Sequence, residues 1–122
     1  MNYGEFKYPK TRHFYSSLKL SKKADRNFDM KNIEKYFIGK EVVVTEKVDG
    51  GNESLLTDAC LPRAMDDNSF MYGHESRNWI KSFWNNIKQD IPNDLIISVE
   101  NMFAKHTIYY DLLPSFAIGL GV

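Results

Sequence analysis

The apolar residues of this chain come in short runs that turn-forming residues interrupt, rather than in one long stretch. Three consecutive valines lie in the first run, Glu41 to Lys47, and β-branched residues of this kind favour a strand. Two further runs, Leu95 to Val99 and Phe116 to Val122, are also of strand length. Asp49-Gly50-Gly51 follows the first run and predicts a hairpin turn, with Asn52 to Thr57 as the returning strand.

Two other segments carry helical periodicity. Asp29 is positioned to cap a short helix that runs to Tyr36, and Gly39 is positioned to end it. The second helix is predicted over Ser76 to Lys88. Arg77 and Lys81 lie on its predicted polar side, where phosphate or water could contact them, and we favour water. Its apolar residues share one stripe: Trp79, Ile80, Phe83, Trp84 and Ile87. These patterns predict an α+β domain with a mostly antiparallel sheet and flanking helices.

With 122 residues, the chain has room for one domain with a modest core. Its aromatic content of 14% argues against intrinsic disorder, and no apolar run approaches the ~20 residues of a membrane-spanning helix. Cys60 is the only cysteine, which excludes disulfides within the chain and thiolate zinc sites. We therefore expect a cytoplasmic protein. The three histidines are far apart in the sequence, so we predict no metal site among them.

The net charge of zero conceals an asymmetry along the chain. Residues 1–40 hold ten Lys or Arg against four Asp or Glu, a net of +6, and the remainder carries −6. Aromatic residues lie among the early cations, a mixture found on surfaces that stack bases and contact phosphates. They are Phe6, Tyr8, Phe14 and Tyr15. An RNA-binding surface and a solvated charged face both fit this composition. We treat residues 1–27 as a basic, irregular lead-in to a body that spans residues 28–122.

The segment richest in chemistry is Thr45-Glu46-Lys47-Val48-Asp49-Gly50-Gly51-Asn52. Lys47 ends the predicted strand beside glycines that let a substrate approach the backbone, so it is a candidate nucleophile. An ordinary solvated lysine beside an Asp-Gly turn fits the same residues. A reactive amine must be unprotonated, which requires burial or nearby positive charge. The carboxylate of Asp49 would oppose this unless it is engaged elsewhere.

Six segments point to one family when they are taken together. They are Tyr8-Pro9-Lys10-Thr11-Arg12-His13, the run from Lys40 to Gly50, Ser76-Arg77-Asn78-Trp79-Ile80-Lys81, Glu100-Asn101-Met102-Phe103-Ala104-Lys105-His106, Ile108-Tyr109-Tyr110 and Leu113-Pro114-Ser115. In this order they resemble the ATP-dependent RNA ligase family, which belongs to the covalent nucleotidyltransferases. The resemblance covers most of the chain from Tyr8 onward. It implies an incomplete nucleotidyltransferase domain of the ATP-grasp-like ligase type.

The resemblance also implies roles for individual residues. Lys47 would attack the α-phosphorus of ATP, release pyrophosphate and carry AMP. The AMP would pass to an RNA 5′-phosphate, and an RNA 3′-hydroxyl would then displace it and join the strands. Glu46 would help to hold adenine, Phe116 would stack on it, and Glu100 would bind the ribose hydroxyls. The other implied nucleotide contacts are Asp49, Gly50, Asn52 and Arg63. ATP and Mg²⁺ are the implied cofactors, and RNA ends are the implied partners.

Members of this family carry two later motifs that do not occur here: one strand with a metal-associated acid and one with lysines on the α-phosphate. We therefore expect this chain to be the amino-terminal part of a ligase domain. A missing carboxy-terminal segment or a second chain would complete it. The alternative is a nucleotide- or RNA-binding fragment that cannot complete catalysis.

Overall fold

The computed structural model describes residues 8–9, 11–14, 27–63 and 74–122. These residues fall into two compact units: one holds Pro9–Glu46, and the other holds Lys47–Val122 together with Tyr8. Most of the predicted basic lead-in, including Phe6 and Tyr15, lies outside the described residues. The expected division into a lead-in and a body stays a prediction.

The described residues of the smaller unit form two short parallel strands and one helix. The strands are β1 (His13–Phe14) and β2 (Asn27–Phe28), and the helix is α1 (Met30–Tyr36). The carboxylate of Asp29 accepts the backbone N–H of Asn32 at 2.8 Å, which caps the helix. Gly39 follows with φ of 71°, a left-handed conformation that glycine adopts without strain. The predicted helix and both of its end signals are confirmed.

The predicted strand from Glu41 to Lys47 is wrong. This run has no regular secondary structure, and the side chains of Val43 and Val44 are 90% and 89% exposed. Valine favours a strand because its branched side chain packs well on a pleated, half-buried surface. None of the described strands pairs with this run, so its local preference has no ladder and no packing surface to satisfy.

The larger unit is built on a four-stranded antiparallel sheet. Its strands are β3 (Gly51–Leu55), β4 (Cys60–Pro62), β5 (Ile97–Asn101) and β6 (Ala117–Gly121), in the order β4-β3-β5-β6. The predicted strands near residues 52, 95 and 116 are therefore confirmed, and so is the α+β class. The predicted hairpin is wrong, because β3 pairs with β4 and β5 and not with the residues that precede it.

One face of this sheet is covered by a long helix, α2 (Glu75–Ile87), which continues into a short 3₁₀ turn over Lys88–Asp90. The ring of His74 accepts the backbone N–H of Ser76 at 3.2 Å and caps α2. The helix predicted here is confirmed to within one residue at each end. The fully buried core between helix and sheet consists of Leu55, Ile80, Ile91 and Val99.

Strand alternation assigns opposite faces to neighbouring residues in the sheet. Leu55 and Val99 point toward α2, so Asn52 and Glu100 project from the opposite face. That second face therefore carries the side chains of Asn52 and Glu100 at one end of β3 and β5. No helix within the described ranges is long and apolar enough to cross a membrane.

Candidate functional site

Gly50 lies where the chain enters β3 and passes close to the end of β5. Its backbone N–H donates to Glu100 Oε1 at 3.1 Å. A Cβ atom at Gly50 would lie 2.5 Å from the Asn101 carbonyl oxygen and 2.7 Å from the Met102 sulfur. Only glycine permits this approach, which fixes the Lys47-to-Gly50 segment against the end of β5.

Three of the predicted site residues form a row across the sheet. Asn52 pairs directly with Glu100 in the register of β3 and β5, and Ile118 is the next residue of the row, on β6. On the other side, the backbone N–H of Arg63 donates to the Asn52 carbonyl at 3.0 Å and extends the ladder by one residue. Directly opposed residues of antiparallel strands share a face. The polar row is thus Arg63, Asn52 and Glu100.

The side chain of Asn52 is unsatisfied at the centre of this polar row. Both its amide nitrogen and its amide oxygen are buried, and neither has a hydrogen-bond partner. A buried polar group left without a partner costs roughly 1–3 kcal/mol. Such an amide is able to donate one hydrogen bond to a ligand and accept another. The polar row therefore has the properties of a binding site for a ligand that carries donors and acceptors.

Asp49 is tied to the segment that follows β5. Its carboxylate accepts the backbone N–H of Thr107 at 3.0 Å, and its own backbone N–H donates to the Tyr110 hydroxyl at 3.1 Å. The amide of Thr107 is the main cause that lowers the pKa of Asp49, and the Thr107 hydroxyl adds to it. The carboxylate is therefore ionised, and its hydrogen bond to a neutral amide leaves its negative charge in place.

Lys47 lies two residues before Asp49, and its side chain is exposed. Its ammonium group makes a minor contribution to the lowered pKa of Asp49. Glu46 is also exposed and belongs to the smaller unit. The roles expected for Lys47 and Glu46 stay predictions.

A cavity of about 390 Å³ opens beside Asp49. Four of its eleven lining residues are aromatic: Phe103, Tyr109, Tyr110 and Phe116. The ring of Phe116 is 43% exposed and meets Phe103 edge-on at a centroid distance of 5.5 Å. The cavity therefore offers aromatic surface to a flat ligand, together with the side chains of Asp49, Asp111 and Lys105.

A buried ion pair supports the polar row from the α2 side of the sheet. Arg77 contacts Glu53 directly, and it also donates to the Cys60 carbonyl at 3.2 Å. Burial raises the pKa of Glu53, and the guanidinium of Arg77 opposes that rise. The expectation that Arg77 faces water is wrong. It lies three residues before Ile80, so helical spacing places it on the buried stripe of α2.

Further residues of the site had no predicted role. Thr107 and Tyr110 hold Asp49, and the amide of Asn101 donates to the Ser76 carbonyl at 3.1 Å, which joins β5 to the start of α2. Their one sequence signal is that Tyr110 and Asn101 lie in segments with a family resemblance. In the described part of the chain, no three His, Cys, Asp or Glu side chains lie close enough to hold a metal ion.

Comparison with known proteins gives one match. The family model described as RNA ligase matches residues 40–120, about two-thirds of the chain. This range contains the polar row, Lys47 and every residue named along the cavity. No curated protein and no solved structure matches the chain significantly.

Proposed function

Because this chain belongs to the RNA ligase family, we propose that it is an ATP-dependent adenylyltransferase that acts on RNA ends. In the first step the amine of Lys47 attacks the α-phosphorus of ATP. A nitrogen–phosphorus bond forms, the bond to the bridging oxygen breaks, and pyrophosphate leaves. AMP then passes from Lys47 to an RNA 5′-phosphate. A 3′-hydroxyl finally displaces AMP and forms the phosphodiester bond.

The observation that carries this proposal is the polar row next to the Lys47-to-Gly50 segment. Glu100 has one carboxylate oxygen on the Gly50 amide, and its other oxygen is suited to accept a ribose hydroxyl. The unsatisfied amide of Asn52 supplies both a donor and an acceptor. The guanidinium of Arg63 provides the fork that matches phosphate oxygens.

The cavity beside Asp49 supports a place for the adenine ring. Phe116 presents an exposed ring at this cavity, as a stacking contact requires. The carboxylate of Asp49, which lines the cavity, can accept a further hydrogen bond from an amino group such as that of adenine. A volume of about 390 Å³ lies in the range of small-molecule sites.

In this proposal Mg²⁺ binds together with ATP. The described residues include no cluster of three metal ligands, so they do not form a dedicated metal cage. Mg²⁺ is commonly bound through substrate phosphates with few protein ligands, and ATP would bring it in this way. The nucleotide contacts proposed here, in contrast, come from protein side chains and do not require the metal ion.

A second function is nucleotide or RNA binding without covalent transfer. The exposure of Lys47 favours it, because a nucleophilic lysine is activated by burial or by nearby positive charge. The two functions agree on nucleotide binding and differ only in whether AMP becomes attached to the chain.

Equilibrium binding of ATP tests the part that both functions share. We expect Glu100→Gln and Asn52→Ala each to weaken ATP binding by about tenfold, because a hydrogen bond to a charged or buried group is worth roughly 1.5 kcal/mol. The matched control for Glu100→Gln is Asp90→Asn, the same chemical change at an exposed position of the larger unit. Equal affinity of all three variants and the parent chain would remove the polar row as the nucleotide site.

A further inference from the structure

We propose that the smaller unit, Pro9–Glu46, carries a docking surface for single-stranded RNA. The identity of this partner rests on the proposed function, which requires RNA ends. The surface itself is argued from the rings and charges of the unit, and no nucleotide contact proposed above other than Glu46 belongs to it.

The charge of the two units is opposite in sign. The sequence of Pro9–Glu46 contains nine Lys or Arg against five Asp or Glu, a net of +4. The rest of the chain contains seven against eleven, a net of −4. The positive excess of the smaller unit comes from residues 10 and 15–26, which lie outside the described residues; the described residues of the unit hold four Lys or Arg against four Asp or Glu. By sequence, the smaller unit is nevertheless the more favourable of the two for a polyanion.

The smaller unit also has exposed aromatic surface. Its rings form a connected group that we name the aromatic cluster: Phe14, Phe28, Tyr36 and Phe37. Neighbouring centroids within the cluster lie between 5.2 and 6.4 Å apart. Phe28 and Phe37 are half-buried and hold the unit together, while Phe14 and Tyr36 are 46% and 52% exposed. The exposed pair offers ring surface to a ligand.

Cations are held directly against these rings. The guanidinium of Arg12 lies 5.5 Å from the centre of the Phe28 ring, and the ammonium of Lys35 lies 4.9 Å from that of Tyr36. In a nucleotide the base is next to its phosphate. A ring that stacks on the base and a cation that binds the phosphate must therefore lie close together, as these do. Both cations are on exposed residues, so a phosphate can reach them.

This combination selects single-stranded RNA over a duplex. Bases of a single strand can unstack and lie on aromatic rings, whereas the bases of a duplex are already stacked on each other. Contact through rings and phosphates is tolerant of base sequence, because every base has a face that can stack. A protein partner would use the apolar rings but would not need the two cations.

The test measures binding of the full chain to a fluorescently labelled single-stranded oligoribonucleotide by anisotropy, at several salt concentrations. We expect Arg12→Gln and Lys35→Gln each to weaken binding and to reduce the slope of log affinity against log salt by about 0.7 per phosphate contact. Tyr36→Leu should weaken binding by about fivefold or more without changing that slope, because one stacked base is worth about 1–3 kcal/mol. Thermal melts identify any variant that has lost its fold.

Lys88→Gln is the matched control. Its ammonium lies 4.7 Å from the centre of the Trp84 ring, the same kind of contact in the larger unit, and it should leave RNA binding unchanged. Labelling of the chain by ATP does not involve RNA and should be equal in all four variants. Unchanged RNA affinity in Arg12→Gln, Lys35→Gln and Tyr36→Leu would overturn the docking surface, whatever the labelling shows. Loss of labelling in the parent chain would instead contradict the proposed function.

Discussion

The backbone amide of Gly50 and the carboxylate of Glu100 are joined by a hydrogen bond of 3.1 Å, although fifty positions separate them in the sequence. This bond fixes the segment that carries Lys47 to the end of β5. It also orients Glu100, whose second oxygen is left for a ligand. The proposed nucleophile and the proposed ribose contact therefore depend on one another through a single glycine.

We expect Gly50→Ala to destabilise the chain by about 1–3 kcal/mol, because the added Cβ must push back the Asn101 carbonyl and the Met102 sulfur. ATP affinity should fall as well, because a shift of the Asn101 carbonyl also displaces the neighbouring Glu100. Gly119→Ala is the matched control: a Cβ there meets nothing within 4 Å. Urea unfolding and ATP titration of both variants check this. A Gly50→Ala chain as stable as Gly119→Ala would show that the close approach is absent.

Removal of one partner from the buried pair of Arg77 and Glu53 should lower the free energy of unfolding. Arg77→Leu leaves a buried carboxylate without its cation, and we expect a loss of about 3–5 kcal/mol in the free energy of unfolding. The double variant Arg77→Leu with Glu53→Gln should recover part of that loss, because no uncompensated charge remains. Lys81→Gln, at an exposed position of α2, should change stability by less than about 0.5 kcal/mol. Additive losses in the double variant would contradict a direct interaction.

The bond between Asp49 and Thr107 should make part of the stability depend on acid pH. The pKa of Asp49 is lowered from its ordinary value of 3.8 by the Thr107 amide. Its contribution to stability is therefore present above pH 3.8 and is lost as the pH falls through the lower folded-state pKa. The chemical shift of the Thr107 amide proton, followed by NMR, should report this titration. The same transition in an Asp49→Asn chain would show that another group causes it.

Burial of Cys60 should make part of the stability depend on alkaline pH. Burial raises the pKa of its thiol from an ordinary value of 9.0 to about 11. The contribution of Cys60 to stability is thus full below pH 9.0 and is lost as the pH rises through about 11. Because the thiolate is the species that alkylates, the reaction with iodoacetamide should still accelerate above pH 9.0 in the folded chain. A rate that levels off near pH 9.0, as expected in urea, would contradict this burial.

The regular elements that local sequence specifies could be predicted. Asp29 and Gly39 mark the ends of α1 by backbone chemistry that acts within a few residues, and the stripe of α2 follows from its own period. The polar end of β5 could also be anticipated, because the apolar run stops at Glu100. Family resemblance then singled out Asn52 and Arg63 before their pairing was known.

Features that depend on distant partners could not be predicted in the same way. The valine run at residues 42–44 has the composition of a strand, yet strand formation needs a neighbour that the local sequence does not specify. Helical periodicity predicts Arg77 on the polar side of α2, whereas Glu53, on a strand twenty-four residues earlier, gives it a buried partner. Asp49 is likewise held by Thr107 and Tyr110, which no local pattern connects to it.

The proposed function centres on covalent attachment of AMP to Lys47, and the mass of the intact chain after incubation with ATP and Mg²⁺ measures it directly. We predict a species heavier by one adenylyl group, with the added mass mapped to Lys47 by peptide fragmentation. It should be absent from Lys47→Arg, which keeps the positive charge but not the attacking amine. A parent chain that binds ATP yet shows no mass increase at saturating nucleotide, or one modified at another residue, would contradict the account.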